Sequence, residues 1–274
     1  MRKVFIFRSL AIIISALAIF PIRGQVAMSE DKNVGALADE DRINLDCLRG
    51  AYPEIISLEK KTDGALFLRF RNGAEIPYRT RGATEEDAAT SMAQIYPPEP
   101  ARPDPIDGFS PGRARPYPFL EALYGENKGE VQKKLKTVRL PGGKVALTGA
   151  AAEALARVAP RLERLYNTRP DLRKFLKVDG GFYWRKIAGE NKASAHSYGL
   201  AIDLGADVAP YWRWAKKPRH QLQKSYSPEI VEIMEDAGFI WGGKWDKYDL
   251  MHFEYRPELI CKGRKLYKKD ENQN

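Results

Sequence analysis

Histidine is scarce in this chain of 274 residues, occurring only at His196, His220 and His252. Two of the three stand where they could do chemistry. His196 precedes residues 200–204, whose alternation reads as a strand. Leu200, Ile202 and Leu204 point to one face; Ala201, Asp203 and Gly205 point to the other. Asp203 thus shares its face with very small residues, and a carboxylate on an apolar strand is costly unless paired or metal-bound. Gly199 lets the chain turn and bring His196 back over that face. In residues 251–255, Met251, Phe253 and Tyr255 form one strand face, and His252 and Glu254 the other. Asp249 precedes His252 by three positions, so it must lie in a bend before the strand if both are to reach one site. Each segment also has an ordinary reading. Asp203 can cap a turn, His196 can be a loop residue, and His252 and Glu254 can line the polar side of an exposed strand.

Taken together, two histidines and one carboxylate are a common catalytic zinc set. They leave a fourth position open to water, whereas structural zinc sites are closed, usually by cysteines. Zinc lowers the pKa of its water toward ~7 and polarises a scissile carbonyl. A carboxylate off the metal then takes the proton. Asp249 is the first candidate for that base and Glu254 the second. Arg185, at the end of Gly-Gly-Phe-Tyr-Trp-Arg, can stabilise an oxyanion or grip a substrate carboxylate. It can equally be one surface charge among 45 basic residues.

Residues 194–203 read Ser-Ala-His-Ser-Tyr-Gly-Leu-Ala-Ile-Asp. They resemble the S-x-H-x-x-G-x-A-x-D motif of the D-alanyl-D-alanine carboxypeptidase and L-alanyl-D-glutamate endopeptidase family of zinc peptidases. Residues 241–254 resemble the family's second motif, Trp-Gly-Gly-x-Trp followed by an acid, two residues and His-Phe-Glu. The resemblance covers about residues 138–259. It implies Zn2+ on His196, Asp203 and His252, an acid/base at Asp249, and the family's arginine at Arg185. It also implies a hedgehog-like α+β fold, with a small antiparallel sheet carrying the metal and helices flanking it. The carboxypeptidase and dipeptidase branches, including the vancomycin-resistance dipeptidases, tend to use Glu where this chain has Asp249. In that respect the chain is similar to the endopeptidase branch, which includes phage endolysins and a bacillar wall enzyme.

The implied function is an exported zinc peptidase acting on peptidoglycan stem peptides, of the L-alanyl-D-glutamate endopeptidase type. The alternatives are a D-alanyl-D-alanine carboxypeptidase and a zinc-containing cell-wall binding module without catalysis, a state that hedgehog signalling domains resemble. Asp249 and Arg185 argue against the binder, which needs neither.

Several elements must position these residues. Residues 65–78 read as a hairpin turning at Asn72-Gly73, with Pro77 placing the returning strand at an edge. Val138, Leu140, Val145 and Leu147 flank Pro141-Gly142-Gly143 as a second hairpin. Thr148 is expected to cap the helix that follows. Its apolar face is Leu155, Val158, Leu162 and Leu165, with a kink or break at Pro160. Ser227, Pro228 and Glu229 open a further helix, with Ile230, Ile233, Met234 and Ala237 buried and Gly238 ending it. Trp241 and Trp245 support the strand bearing His252. Tyr211, Trp212, Trp214 and Tyr226, with Lys216, Lys217 and Arg219, gather around His220. They form either a substrate groove or a loop packed on the core.

Eight of the 22 residues 97–118 are proline. This run is an extended connector or wrapping arm. The organisation expected is a signal peptide (1–24), an N-terminal accessory region with a β-hairpin and the proline-rich connector (25–118), a zinc peptidase domain (119–261) and a fraying basic tail (262–274). The accessory region matches no family pattern, and its polar residues 29–41 are expected to be loose.

Arg2, Lys3 and Arg8, an apolar run over 10–22 and short residues around 24–27 follow the order of a secretory signal peptide. The run is shorter than the ~20 residues of a bilayer span; an uncleaved anchor is the alternative. No transmembrane span is expected once the signal is removed, and the location expected is periplasmic or cell-wall associated. Removing four positive charges with the signal takes the net charge from +9 to +5. An exported chain rarely meets nucleic acid, so the expected partner is a peptidoglycan peptide rather than DNA or RNA. Two cysteines, Cys47 and Cys261, admit a disulfide in an oxidising compartment or two separate buried thiols.

Overall fold

The computed structural model describes residues 37–102, 104–187 and 192–271, with side chains to residue 267. The signal-like residues 1–24 lie outside the described residues. Helix α1 (Asp39–Ala51) leads into a three-stranded antiparallel sheet of β1 (Ile55–Lys60), β2 (Leu66–Phe70) and β3 (Glu75–Arg79), in the order β1-β2-β3. The short α2 (Ala88–Ser91) and the proline-rich arm follow, then α3 (Tyr117–Tyr124) and α4 (Lys128–Lys133). A two-stranded hairpin, β4 (Leu135–Leu140) and β5 (Gly143–Thr148), precedes the long helix α5 (Gly149–Thr168). Next come β6 (Val178–Gly180), β7 (Ala201–Leu204), the short helices α6 (Trp212–Ala215) and α7 (Leu222–Ser225), and then α8 (Pro228–Asp236). β8 (Phe239–Trp241), β9 (His252–Tyr255) and α9 (Pro257–Glu271) complete the described chain. Strands β6-β7-β9-β8 form, in that order, an antiparallel sheet. The protein is thus a mixed α and β structure built on small antiparallel sheets.

Both expected hairpins form, and β3 with Pro77 is at a sheet edge as read. Strand β1 and helix α1 were not anticipated. α1 starts at Asp39, inside the stretch expected to be loose. Its buried Asp41 accepts hydrogen bonds from Tyr78 Oη (2.7 Å) and from the Arg79 guanidinium, tying the helix to β3.

Three local expectations are corrected. Thr148 precedes α5, but its hydroxyl donates to Gly199 O (3.2 Å) instead of capping the helix. The bond ties the start of α5 to the loop behind His196. Helix α5 also runs through Pro160 as one element, so of the kink or break expected there the break does not occur. Pro160 lies on the exposed side, and the buried stripe of Ala151, Leu155, Val158 and Leu162 continues past it. Burial along that stripe outweighs one lost backbone hydrogen bond. Finally, the chain from Lys262 does not fray at once: it is helical to Glu271 within α9. Lys262 Nζ is buried between Glu40 Oε1 (2.9 Å) and Met92 O (2.7 Å), and Cys261 is disulfide-bonded to Cys47 of α1.

The arm of residues 97–118 wraps onto the later elements. Glu99 N donates to Glu235 Oε2 (2.6 Å), and Lys244 Nζ donates to Pro97 O (2.7 Å). Behind the β6-β7-β9-β8 sheet, Tyr226, Trp241 and Phe253 pack ring on ring, with 4.7 Å between the centroids of Tyr226 and Trp241. Leu200, Ile202 and Leu204 are buried. This apolar backing leaves the other face of β7 and β9 to carry polar side chains.

Candidate metal centre

Register places the first two donors. β7 and β9 pair so that Asp203 lies opposite His252, while Ile202 and Phe253 face the core. His196 comes from a one-turn 3-10 helix, Ala195–Tyr198. Ser194 Oγ accepts from His196 N at its start, and Gly199, at φ 63°, ends it in the left-handed region. That conformation lets Leu200 N reach back to Ala195 O (3.2 Å) and swings the turn over β7.

One ligand atom from each of His196, Asp203 and His252 lies within 4.8 Å of the others. His196 Nε2 is 3.3 Å from Asp203 Oδ2, and His252 Nδ1 is 3.2 Å from Asp203 Oδ1. The far nitrogen of each ring is also held. His196 Nδ1 is 2.7 Å from Gly181 O, and His252 Nε2 is 3.3 Å from Glu254 Oε2. A carbonyl and a carboxylate can only accept, so each far nitrogen carries the N–H. The near nitrogens, which face Asp203, are then the ones that would be free to bind a metal. This is the orientation that outer acceptors impose on metal-bound histidines. Zinc donors at 2.0–2.1 Å in a tetrahedron stand about 3.3 Å apart, so the donor set fits zinc in kind and in its two histidine–aspartate spacings.

The electrostatics agree. Burial works against charge on Asp203, yet His196 and His252 hold its carboxyl well below the usual carboxylate range. Glu254 is fully buried, and burial again opposes its charge. Arg115, with His252 and Arg256, holds it ionised all the same. Arg115 Nη2 donates to Glu254 Oε2 at 2.6 Å. Glu254 therefore braces His252 and is already engaged by arginine, which removes it as a free base.

Asp249 sits in the bend that the spacing required. Its N–H donates to Gly242 O (3.0 Å), and its carbonyl accepts from His252 N (3.1 Å). Its carboxylate Oδ1 is buried with no hydrogen-bond partner among the described residues. Burial pushes its carboxyl up to about 6, with His252 opposing and Asp203 adding to the rise. A carboxyl that keeps an unshared oxygen beside the donors is suited to taking and returning a proton.

His196, Asp203, His252 and Asp249 line one cleft of about 350 Å³ together with Arg185. Arg185 is exposed there; its guanidinium donates to Lys186 O at 3.4 Å, and Ser197 Oγ accepts from its backbone N–H (3.0 Å). Tyr211 and Trp214 line the cleft as well. His220 does not; its Nδ1 accepts from Leu222 N, and its ring sits against Tyr248. Sequence reading missed Arg113 and Arg115, which enter the cleft from the proline-rich arm. The signal available was Pro-Gly-Arg-Ala-Arg-Pro, two arginines pinned between prolines, which by itself reads as a connector.

Two histidines and an aspartate bracketed by outer acceptors, with an unshared carboxyl alongside, are the donor arrangement that hydrolytic zinc centres use. Residues 188–255 match the family described as D-alanyl-D-alanine carboxypeptidase. A 68-residue stretch is 40% identical to the peptidoglycan L-alanyl-D-glutamate endopeptidase CwlK of Bacillus subtilis (strain 168), covering 23% of this chain and 40% of that protein. The chain therefore spans less than half the length of this relative. No solved structure matches. The segment carrying the centre is thus similar to this peptidase family, the one its two motifs resemble.

Proposed function

We propose that the protein is an exported, zinc-dependent peptidase that hydrolyses peptide bonds in peptidoglycan stem peptides, most closely of the L-alanyl-D-glutamate endopeptidase type. The observation that carries this reading is the convergence of His196, Asp203 and His252 beside the unshared carboxyl of Asp249. When bound, zinc supplies an activated water and a Lewis acid for the scissile carbonyl. His196 Nε2, an Asp203 oxygen and His252 Nδ1 would hold it. Gly181 O and Glu254 fix the two imidazoles so that little reorganisation is needed. The Asp249 carboxylate takes the proton of the attacking water and returns it to the leaving nitrogen. Arg185 borders the cleft as a donor to the developing oxyanion.

Residues 119–261 form the catalytic region in this reading, in the hedgehog-like fold implied by the motifs. In this reading the signal-like residues 1–24 direct the protein to the periplasm or cell wall. Among the described residues no helix is long and apolar enough to cross a membrane. The second reading is a D-alanyl-D-alanine carboxypeptidase, favoured by the description of the matching family.

Digestion of purified muropeptides by zinc-loaded protein, with product masses read out, tests both. Release at L-Ala supports the endopeptidase and loss of terminal D-Ala the carboxypeptidase. Asp249→Ala protein should yield neither. If native protein loaded with zinc gives no product, catalysis is rejected and a binding module remains. A zinc assay is a separate check: His196→Ala protein that still holds one equivalent contradicts the donor set.

A further inference from the structure

We propose that Arg113, supplied by the proline-rich arm, binds a substrate carboxylate carried on the carbon next to the scissile nitrogen. The proposal deepens the peptidase reading and rests on it for the identity of the substrate.

The chemistry of the two candidate substrates converges on one feature. In a D-alanyl-D-alanine terminus, the residue that leaves carries its α-carboxylate on the carbon bonded to the scissile nitrogen. In an L-alanyl-D-glutamate bond, the glutamate nitrogen is the scissile one. If its chain continues through the side-chain carboxyl, the free α-carboxylate again sits on the adjacent carbon. A cleft that cuts either bond must accommodate an anion there, and a desolvated anion needs a fixed cation.

Arg113 has the attributes of that cation. It lines the same cleft as His196, Asp203, His252 and Asp249. Its guanidinium carbon lies 5.6 Å from the ring centroid of Trp245 and 5.8 Å from that of Tyr211. Trp245 in turn packs edge-on against His252, with centroids 5.6 Å apart. The aromatic rings fix the plane of the guanidinium and leave its donors in the fork geometry that a carboxylate fits. Its Nη2 donates to Lys247 O at 3.4 Å, a long bond. Its Nε is buried with no partner among the described residues.

The arm is built to hold this residue still. Gly108 N donates to Asp246 Oδ2 (3.1 Å), and Asp246 N donates to Phe109 O (2.6 Å). Ser110 N donates to Gln94 Oε1 (2.7 Å). A Cβ on Gly112 would meet a Trp245 ring carbon at 2.3 Å, so only glycine lets the turn lie on that ring. Two residues beyond Arg113, Arg115 is anchored on Glu254. By comparison, Arg185 is exposed at the cleft. The arm lies before the family segment, so in this proposal the N-terminal region adds substrate selection to a centre built by residues 188–255.

The test measures binding separately from turnover. Zinc-loaded Asp249→Asn protein, which should leave the bond intact, is titrated calorimetrically with two pairs of peptides. The first pair is acetyl-D-Ala-D-Ala and its C-terminal amide. The second is acetyl-L-Ala-D-Glu extended by lysine through the side-chain carboxyl, and its α-amide. One pair should bind roughly 10–100-fold more tightly as the carboxylate, and the pair that does so identifies the source of the anion. Adding Arg113→Met, which keeps an unbranched stem between the rings, should remove the preference and leave the amide affinity unchanged. Adding Arg113→Lys should restore part of it. Unchanged amide binding also certifies that the variants are folded. A preference that survives Arg113→Met, equal binding of both members of each pair, or no binding of any peptide overturns the proposal. Should native zinc-loaded protein cleave neither carboxylate peptide while the Arg113-dependent preference stands, the peptidase reading fails and the anion site survives.

Discussion

Arg115 and Glu254 lie 139 positions apart in the chain yet meet at 2.6 Å, with side chains only 6% and 1% exposed. Glu254 also receives His252 Nε2–H, so a residue of the proline-rich arm reaches the candidate metal centre through one carboxylate. Arg115→Met should leave Glu254 with Arg256, whose Nη1 is 3.5 Å away, as its remaining guanidinium among the described residues. Outer partners of metal-bound histidines typically contribute about 10–100-fold in metal affinity. We expect a zinc affinity lower by that order, measured by chelator competition, with partial recovery in Arg115→Lys. Unchanged affinity in Arg115→Met would show that Arg256 suffices.

Asp249 and Glu254 are distinguished by what each carboxyl touches. Asp249 keeps Oδ1 unshared, whereas Glu254 is held by Arg115 and His252. Asp249→Asn should therefore retain zinc and lose turnover by roughly 10²–10⁴, the usual contribution of a positioned general base. Glu254→Gln should act chiefly on zinc affinity and recover most of its turnover when zinc is in excess. Metal titration combined with muropeptide digestion separates the two. The reverse pattern would exchange their roles.

The faces of the candidate metal centre were legible in the sequence because strand alternation and a turn glycine are local, and the family motifs supplied the ligand set. Residues 199–204 and 251–255 set out two faces, and the register only had to align Asp203 with His252. The bend holding Asp249 followed from its odd spacing. What could not be read was the part set by long-range packing. Arg113 and Arg115 look like connector residues until the arm wraps onto Asp246 and Glu254. Lys262 looks like the start of a loose tail until its ammonium is seen between Glu40 and Met92 O. Thr148 has the residue type of a helix cap, but tertiary contact with Gly199 claimed its hydroxyl.

Lys244 is buried against Glu235 (2.8 Å) and Glu99 (2.9 Å), and Tyr96 Oη donates to the same Glu235 oxygen (2.6 Å). This cluster joins the arm to α8 and to the turn after β8. Removing one partner of a buried ion pair costs about 3–5 kcal/mol, because the other charge stays buried. Lys244→Met should lower stability by that amount in urea unfolding. Lys244→Met combined with Glu235→Gln should recover a large part, since the uncompensated carboxylate is gone. Equal stability of the single and double variants would contradict this account of the cluster.

The Cys47–Cys261 bridge joins α1 to α9 across a separation of 214 residues. On the chain-entropy model, a loop of that length restricts the unfolded chain by about 5 kcal/mol; the observed loss on removing native bridges is typically about 2–5 kcal/mol. Native contacts also cross this junction, because Lys262 is held by Glu40 and Lys265 pairs with Asp46. The two helices should therefore stay docked when the bridge is gone, and the effect should fall mainly on the unfolded state. Cys47→Ala/Cys261→Ala protein should accordingly show a lower unfolding midpoint in urea while retaining its zinc content and peptide cleavage at 25 °C, since neither cysteine lines the cleft. Adding reductant to the native protein should reproduce the shift and leave the double variant unmoved. An unaltered midpoint in both experiments would mean that the bridge contributes nothing beyond the contacts already joining α1 and α9.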